Sequence, residues 1–332
     1  MKIAYLGAGT WGFSLANLLC EKGHDVMLWS SKEEFAEKLQ TLRIHPKLPQ
    51  GTAHPNLTVT SDLKKTLEGA DFIIESVTSG GLRSVFEQVK PFYKKGVPIV
   101  ITSKGIEQNT ELLLPEVLMD VLGEDIKPFI GCLSGPSHAE EVIIKIPTSV
   151  VSSSYDAELM YKIADLFVTP YFRVYPNGDL QGVAFGGAMK NIIAIASGIS
   201  DGLGFGDNTK AALMTRGLHE IKKLAVTKGC QPETLNGLAG LGDLCVTCLS
   251  TLSRNYRFGK LIASGESSKS AKEKIGMAVE GMYTCVSAHQ LSQHHNISAP
   301  ITDAIYAILY EDLNPQEAVK ALLTRSIKEE SL

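Results

Sequence analysis

The hydrophobic positions in the first half of the chain alternate between two patterns. Short apolar runs bounded by glycine or polar residues predict strands, and the segments between them carry apolar residues at the spacing of one helix face. The predicted strands are Ile3–Leu6, Asp25–Trp29, Leu57–Thr60, Phe72–Val77, Pro98–Thr102 and Phe129–Leu133, and the predicted helices include Thr10–Lys22, Lys32–Leu42, Ser61–Leu67 and Thr110–Leu122. This alternation indicates βαβ units, so we predict an α/β fold with a doubly wound, mostly parallel sheet that Val150–Ser152 and Phe172–Tyr175 extend.

The pattern changes near residue 180, where the strand signals end and helical spacing takes over. The later helices are predicted over Gly182–Ser197, Asn208–Lys228, Asn255–Ser264, Cys285–Gln293 and Ile301–Leu309. The serine-rich stretch Ser264–Ser270 is predicted to be an exposed loop. Because a chain of 332 residues is long enough for about two domains, we place an α/β domain at residues 1–180 and an all-helical domain at residues 181–332.

Composition and charge exclude several classes of protein. With 44% apolar and 20% charged residues the chain is ordinary for a soluble globular protein, and its net charge of −4 lacks the basic excess typical of nucleic-acid binding. The best candidate for a membrane span, Val183–Ile199, contains Lys190, so no span is expected. Six cysteines are too sparse for a disulfide framework, and glycines interrupt the N-terminal apolar run, so we expect a cytoplasmic protein.

A glycine-rich loop follows the first predicted strand and opens the first helix. Its sequence is Gly7-Ala8-Gly9-Thr10-Trp11-Gly12, and a second predicted strand follows. In this context the three glycines permit a tight turn and a close approach to a pyrophosphate at the helix N-terminus. The loop therefore predicts a Rossmann-type domain that binds NAD or NADP.

The end of the second strand leaves the choice between these cofactors open. It has the sequence Trp29-Ser30-Ser31-Lys32, without the acid that usually binds the ribose 2′-hydroxyl of NAD. Lys32 and the two serines could accommodate a 2′-phosphate. Alternatively, Lys32 only begins a solvated helix.

Two polar turns follow later strands. Lys104 lies at the carboxyl end of the strand Pro98–Thr102, where open α/β sheets bind ligands. The second turn, Ser134-Gly135-Pro136-Ser137-His138-Ala139, could present backbone amides and the Ser137 hydroxyl to an oxygen-rich ligand. The same turn could equally be a simple loop.

Two cationic residues of the helical domain are candidates for chemistry. Lys190 stands in an apolar helical stripe, and Gly186 and Gly187, one turn earlier, would let another backbone approach. A partly desolvated ammonium is suited to proton transfer, whereas a lysine that snorkels from a buried helix has no such role. Arg254, flanked by Ser253 and Asn255, offers a planar donor fork for phosphate, or is an ordinary surface arginine.

A zinc site is not expected. Cys245 and Cys248 could combine with Cys285 and His289, but a structural zinc normally pairs two tight ligand clusters. Cysteine is also a common small buried residue. We therefore predict no metal.

Taken together, these segments resemble the bacterial-type NAD(P)-dependent sn-glycerol-3-phosphate dehydrogenases. The matching stretches run in order from residue 7 to residue 284 and read GAGTWG, SKGIE, SGPSHA, GGAMKN, SDGLGFGDNTKAALMTRG, GLAGLGDL, SRNYRFG and VEGMYT. The resemblance implies a Rossmann domain followed by an all-helical domain, often assembled as a homodimer. His138 departs from the family pattern, which usually has phenylalanine at this position.

The resemblance also implies a reaction and roles for particular residues. A hydride passes from the nicotinamide to C2 of dihydroxyacetone phosphate, and the product, sn-glycerol 3-phosphate, supplies glycerophospholipid synthesis. Lys190 is implied as the catalytic acid/base, and Lys104 as a group that binds and polarises the substrate. The other implied substrate residues are Gly135, Ser137, Asp243, Ser253, Arg254 and Asn255, and the implied cofactor residues are Gly7, Gly9, Thr10, Trp11, Gly12, Ser31, Lys104, Ala139, Arg254, Ala278 and Glu280.

Two other functions compete with this one. The first is a related two-domain dehydrogenase that acts on another small hydroxy or keto acid. The second is a redox sensor that binds a dinucleotide without catalysis. A sensor would leave Lys104, Lys190 and Arg254 without a shared purpose, which counts against it.

Overall fold

The computed structural model describes residues 1–326 and 329–330, so residues 327–328 and 331–332 of the predicted second domain lie outside the described residues. The chain divides into two compact units. The first comprises Met1–Lys104 and Leu114–Ala184, and the second Gly105–Leu113 and Phe185–Leu332. The short segment Gly105–Leu113 therefore differs from the sequence prediction, which placed it in the first domain. The side chains of Ile106 and Leu113 explain this, because both are buried in the helical core.

The first unit is built around one sheet. Its strands are β1 (Lys2–Leu6), β2 (Asp25–Trp29), β3 (Leu57–Thr60), β4 (Phe72–Glu75), β5 (Ile99–Ile101), β6 (Ile130–Ser134), β7 (Thr148–Ser154) and β8 (Phe172–Asn177). In the described part of the chain these eight strands have the order β3-β2-β1-β4-β5-β6-β7-β8, and only β6 and β7 pair antiparallel. The predicted α/β class with a doubly wound, mostly parallel sheet is confirmed.

Helices accompany the sheet along the chain. They are α1 (Thr10–Glu21), α2 (Glu33–Leu42), α3 (Leu63–Leu67), α4 (Leu82–Val89), α5 (Leu114–Leu122), α6 (Ala139–Val142) and α7 (Ala157–Phe167), with shorter 3₁₀ turns at Ser79–Gly81, Lys90–Phe92 and Glu124–Phe129. The sequence did not predict α4, α6 or α7. It also began α5 too early, at Thr110, because Asn109 and Glu111 adopt left-handed backbone angles and Ile106 bridges Leu113.

The strand order determines where a ligand can bind in this unit. The chain runs outward from β1 to β3, then returns to β4 and continues in the opposite direction, so the order reverses between β1 and β4. Ligands of open α/β sheets bind at such a switch point, outside the carboxyl ends of the strands. The loops after β1, β4 and β5 all lie at these ends.

The second unit is helical. Its helices are α8 (Leu180–Gly202, which begins just before the division), α9 (Asp207–Thr227), α10 (Asp243–Leu249), α11 (Arg254–Ala263), α12 (Ser268–Ile275), α13 (Glu280–His294), α14 (Pro300–Tyr310) and α15 (Pro315–Leu323), with a 3₁₀ turn at Pro232–Asn236 and a π turn at Leu238–Gly242. The predicted all-helical C-terminal domain is confirmed. The predicted loop Ser264–Ser270 is wrong in its second half, because the Ser267 hydroxyl accepts a hydrogen bond from the Ser270 amide at 3.2 Å and caps α12.

Helix α8 forms the centre of this core. Ile192, Ile193 and Ile195 are buried, and so is Lys190 on the same helix. With a mean hydropathy of 1.4, α8 is the one helix among the described residues long and apolar enough to cross a membrane, and its whole apolar window is buried within the protein. A helix that is apolar on all sides is also typical of the centre of a helical core.

Candidate active site

The glycine loop closes tightly against the end of β4. Gly7 has φ +107°, and a Cβ there would stand 2.8 Å from the carbonyl carbon and oxygen of Ser76. A Cβ on Gly12 would stand 2.0 Å from the carbonyl oxygen of Gly7. Only glycine fits at these two positions, as the sequence motif predicts.

The remaining loop glycine faces open space, and this is the test of whether a pyrophosphate fits. A Cβ on Gly9 would meet nothing within 4 Å. Gly9 is the N-cap of helix α1, because the Phe13 amide donates to its carbonyl at 2.8 Å, and the first turn of the helix contains no acid. Thr10 and Trp11 are half-buried in that turn. A helix N-terminus with room in front of it is suited to an anion, so the loop fits a dinucleotide.

The end of β2 presents small and basic side chains to solvent. Ser31 and Lys32 are exposed, and the Ser30 hydroxyl accepts from the Lys32 amide at 3.2 Å. The first acids, Glu33 and Glu34, lie within the first turn of α2. Residues 30–32 therefore place no carboxylate against a ribose or its 2′-phosphate.

The structure brings together the two polar turns that the sequence predicted separately. The Lys104 ammonium donates to the Gly135 carbonyl at 3.0 Å, and the Ser137 hydroxyl donates to the same oxygen at 2.9 Å. Gly135 has φ +150°, and a Cβ there would stand 2.9 Å from Cα of Val150. Ala139 begins α6, and its carbonyl accepts from the Ser14 hydroxyl of α1 at 3.1 Å. Lys104, Gly135 and Ser137 thus form one polar cluster.

Glu75, at the end of β4, is a buried carboxylate that the sequence reasoning missed. Its side chain has no exposed surface, and burial raises its pKa to about 7. One oxygen accepts from the Val77 amide at 3.0 Å, and the other accepts from the Ser103 hydroxyl at 2.6 Å. An acid inside an otherwise apolar strand is a signal that could have revealed it.

In the helical unit, Lys190 is held by a carboxylate and a hydroxyl. Its side chain is only 9% exposed; it forms an ion pair with Asp243, which is 1% exposed, and it donates to the Thr247 hydroxyl at 2.8 Å. A Cβ on Gly186 would stand 2.8 Å from the Ala239 carbonyl oxygen, so the predicted close approach of another backbone is confirmed. The approaching backbone belongs to the segment Leu238–Gly242, which leads directly into Asp243. Thr247, one turn further along α10, was not predicted.

Next to Lys190, Asn191 begins a chain of amide hydrogen bonds that joins three helices. The Asn255 side chain donates to the Asn191 side-chain oxygen at 2.9 Å and accepts from the Gly281 amide at 2.9 Å. A Cβ on Gly281 would stand 2.7 Å from the Asn191 carbonyl oxygen. Asn255 is therefore fixed in orientation by Asn191, a hydrogen-bond partner that the sequence reasoning did not identify.

Arg254 lies at the start of α11 and is half-buried, so it is not an ordinary surface arginine. Its guanidinium donates to the Ala278 carbonyl at 3.0 Å, two residues before Glu280 begins α13. Ser253 caps α11 by accepting from the Tyr256 amide at 3.2 Å. The structure thus brings Arg254 against Ala278, and both belong to the residues predicted to contact the dinucleotide.

Two family models match the chain. Residues 2–160 match the NAD-dependent glycerol-3-phosphate dehydrogenase N-terminus, and residues 179–320 match the C-terminus of the same family. Together the two models cover both units.

Full-length relatives carry the same name. The chain is 58% identical over 331 residues to the glycerol-3-phosphate dehydrogenase [NAD(P)+] of Protochlamydia amoebophila and 56% identical to that of Chlamydia caviae, and in both comparisons 100% of this chain aligns with 99% of the relative. The crystal structure of glycerol-3-phosphate dehydrogenase from Coxiella burnetii superposes with a TM-score of 0.93 at 41% identity, covering 97% of this chain and 98% of the other. The similarity therefore extends over the whole fold.

Proposed function

Because the chain belongs to the NAD-dependent glycerol-3-phosphate dehydrogenase family, we propose that it catalyses the reversible, NAD(P)H-dependent reduction of dihydroxyacetone phosphate to sn-glycerol 3-phosphate. The reaction is an oxidoreduction at a CH–OH group. The observation that carries the proposal is the buried Lys190 ammonium, held against Asp243 and Thr247. A sensor without catalysis has no use for a buried proton donor beside an acid.

In this proposal residues 1–180 supply most of the contacts to the dinucleotide. Gly7, Gly9 and Gly12 shape the loop, and the first turn of α1, with Thr10 and Trp11, receives the pyrophosphate. Further cofactor contacts are assigned to Ser31 at the adenosine ribose and to Lys104, Ala139, Arg254, Ala278 and Glu280. Since residues 30–32 carry no acid, the site accepts NAD or NADP. When bound, the reduced nicotinamide supplies the hydride.

Lys190 is the proposed catalytic acid/base. In the reducing direction its Nζ donates a proton to the alkoxide that develops at C2 of the substrate, and in the oxidising direction it takes the proton back. Asp243 neutralises the ammonium and, with Thr247, fixes the direction in which Nζ points. This fixed donor lowers the cost of charge development because no reorganisation is needed at the moment of reaction.

The remaining polar residues are proposed to hold the substrate. Arg254, with its donor fork, and its neighbours Ser253 and Asn255 are assigned to the phosphate. Lys104 stabilises charge on the carbonyl oxygen, together with Gly135 and Ser137; the Gly135 carbonyl accepts hydrogen bonds from both Lys104 and Ser137. Binding the phosphate firmly would orient the carbonyl for reaction.

We infer the cellular location, the oligomeric state and the use of the product from the family resemblance. We place it in the cytoplasm as a homodimer, with a product that enters glycerophospholipid synthesis. We assign it no nucleic-acid partner, since the net charge is −4. Its partners are then the small phosphorylated substrate and product.

The assay that tests the proposal follows NADH or NADPH oxidation, measured separately, with dihydroxyacetone phosphate as substrate. Turnover is expected with the phosphorylated ketone, and kcat/KM should fall by about 10³-fold or more with unphosphorylated dihydroxyacetone, because the charge-assisted contacts to phosphate are lost. Equal rates with both ketones, or turnover only with a keto acid, would identify a different dehydrogenase.

The glycine loop provides a separate prediction about the cofactor. Gly12→Ala is expected to weaken NADH binding by about tenfold or more and to lower the free energy of unfolding by about 1–3 kcal/mol, because the new Cβ would collide with the Gly7 carbonyl. NADH fluorescence titration and urea unfolding measure the two effects. Gly178→Ala is the matched control, since a Cβ there meets nothing within 4 Å. Unchanged NADH affinity in Gly12→Ala would contradict the assignment.

A further inference from the structure

Glu75 connects the ends of two neighbouring strands at the switch point of the sheet. Besides the Ser103 hydroxyl, the same carboxylate oxygen accepts from the Ser103 amide at 3.3 Å. Its other oxygen accepts from the Val77 amide just after β4. Ser103 immediately precedes Lys104, so the carboxylate fixes the backbone from which that lysine extends.

The backbone of Glu75 is anchored as firmly as its side chain. Its carbonyl accepts from the Thr102 amide at 3.0 Å and from the Thr102 hydroxyl at 2.7 Å. The next residue, Ser76, shares hydrogen bonds with the hydroxyls of Tyr5 and Thr102, and its carbonyl packs against Gly7. The carboxylate thus lies within a closed polar network that joins β1, β4 and β5.

The hydrogen bonds that Glu75 accepts depend on whether its carboxyl group is ionised. Tyr5 on β1 and Cys132 on β6 are two titratable groups in electrostatic contact with Glu75, and burial raises the pKa of each, that of Cys132 to about 12, so both are neutral near pH 7. Lys104 is the cation in electrostatic contact with Cys132. The carboxylate form of Glu75 accepts from the Val77 amide, the Ser103 amide and the Ser103 hydroxyl, whereas protonation places a hydrogen on one oxygen and so reduces its capacity to accept from these groups.

We propose that Glu75 is a positioning residue for substrate binding, which acts by holding the Ser103–Lys104 turn in the conformation that presents Lys104 to the substrate. This inference rests on the proposed function, in which Lys104 binds dihydroxyacetone phosphate. Loss of the carboxylate loosens the turn and weakens substrate binding, while the proton transfer assigned to Lys190 is untouched. Glu75 thereby gives the substrate affinity a dependence on pH near neutrality.

The test compares wild type with Glu75→Gln, which keeps the shape of the side chain but replaces one acceptor by an amide donor. The KM for dihydroxyacetone phosphate is expected to rise about tenfold. Because the Lys104 ammonium is still present to stabilise charge once the substrate is bound, kcat should stay within about threefold of wild type, which is the signature of weakened binding rather than lost chemistry. Because Lys104 is only one of many proposed cofactor contacts, NADH affinity, measured by fluorescence, should fall by less than about threefold.

The dependence of KM on pH distinguishes the proposed positioning role from a merely structural one, because a structural role would not make the effect of Glu75→Gln depend on pH. The pKa of Glu75 is raised to about 7, so wild type holds the carboxylate above that pH and loses it below. The ratio of the variant KM to the wild-type KM should therefore be largest above pH 8 and approach one near pH 6. Taking the ratio cancels the ionisation of the substrate phosphate, which is common to both proteins.

Glu220 offers a matched control in the helical unit. It is also a buried acid whose pKa is raised to about 7 by burial, and its carboxylate accepts from the amides of Ile301 and Thr302 at 2.8 and 3.2 Å. Glu220→Gln is expected to lower the unfolding midpoint but leave the KM ratio near one at every pH. Ser103→Ala removes one donor to Glu75 and should raise the KM about threefold, which keeps the test valid if Glu75→Gln folds poorly.

The outcomes separate the inference from the proposed function. A wild type without activity on dihydroxyacetone phosphate would refute the proposed function itself. An active wild type with an unchanged KM in both Glu75→Gln and Ser103→Ala would refute only the role of Glu75. A KM ratio that is raised equally from pH 6 to pH 8.5 would also refute it, because the carboxylate form would then have no special part.

Discussion

Lys190→Ala is expected to lower kcat for dihydroxyacetone phosphate reduction by about 10³-fold or more, while NADH binding stays within about threefold of wild type. General acid–base catalysis by a positioned side chain contributes about 10²–10⁴-fold, and alanine leaves no proton donor at the position that Asp243 and Thr247 hold for Nζ. The initial rate of NADH oxidation at saturating substrate gives kcat, and fluorescence titration gives the affinity for NADH. Near-normal turnover in this variant would show that Lys190 is not the catalytic acid/base.

The control for Lys190→Ala must separate the loss of the catalytic group from the loss of the buried ion pair with Asp243. Removing Lys190 alone leaves Asp243, which is 1% exposed, as an unpaired buried charge, and breaking such a pair costs about 3–5 kcal/mol of stability. The double variant Lys190→Met with Asp243→Asn removes both charges together. It should unfold at a midpoint closer to wild type than Lys190→Ala does, yet remain as inactive. Recovery of activity with recovery of stability would show that Lys190 served only the fold.

The fold could be predicted from the sequence because the central strands β4, β5 and β6 are buried on both faces. Runs such as Phe72–Ile74 and Ile99–Ile101 are apolar without alternation, which is the pattern of a parallel sheet covered by helices. The errors occur where tertiary contacts override the local pattern. Gly105–Leu113 follows the first domain in sequence but buries Ile106 and Leu113 in the other core, and Ser267 starts a helix within a stretch whose serines resemble a loop.

The candidate site residues were named one by one from the sequence, but not as pairs. Lys190 was selected from its apolar stripe and Asp243 from the family resemblance, but nothing local indicates that they meet. Their ion pair depends on Gly186, whose missing side chain admits the Ala239 backbone. Glu75 escaped notice for the same reason, because its partners at Val77 and Ser103 come together only when β4 and β5 pair.

At saturating NADH, which compensates for any loss of the cofactor contact assigned to Arg254, Arg254→Ala is expected to lower kcat/KM for dihydroxyacetone phosphate by about 10²–10³-fold, while kcat/KM for unphosphorylated dihydroxyacetone changes by less than about threefold. The reason is that a guanidinium forms charge-assisted, bidentate bonds to phosphate, and each such bond is about twice as strong as a neutral one. Initial rates with the two ketones measure the difference. The phosphate preference of wild type should therefore nearly disappear in the variant.

Arg257 supplies the matched control because it is an exposed arginine on the same helix, one turn after Arg254. Arg257→Ala removes the same charge from the unit but no half-buried donor fork, so it should leave the phosphate preference within about twofold of wild type. Arg254→Lys keeps the charge and loses the planar fork, and is expected to recover only part of the preference. If Arg257→Ala and Arg254→Ala reduced kcat/KM equally, the preference would come from the general charge of the helix. The hydrogen bond that orients Arg254 toward the Ala278 carbonyl would then have no part in substrate recognition.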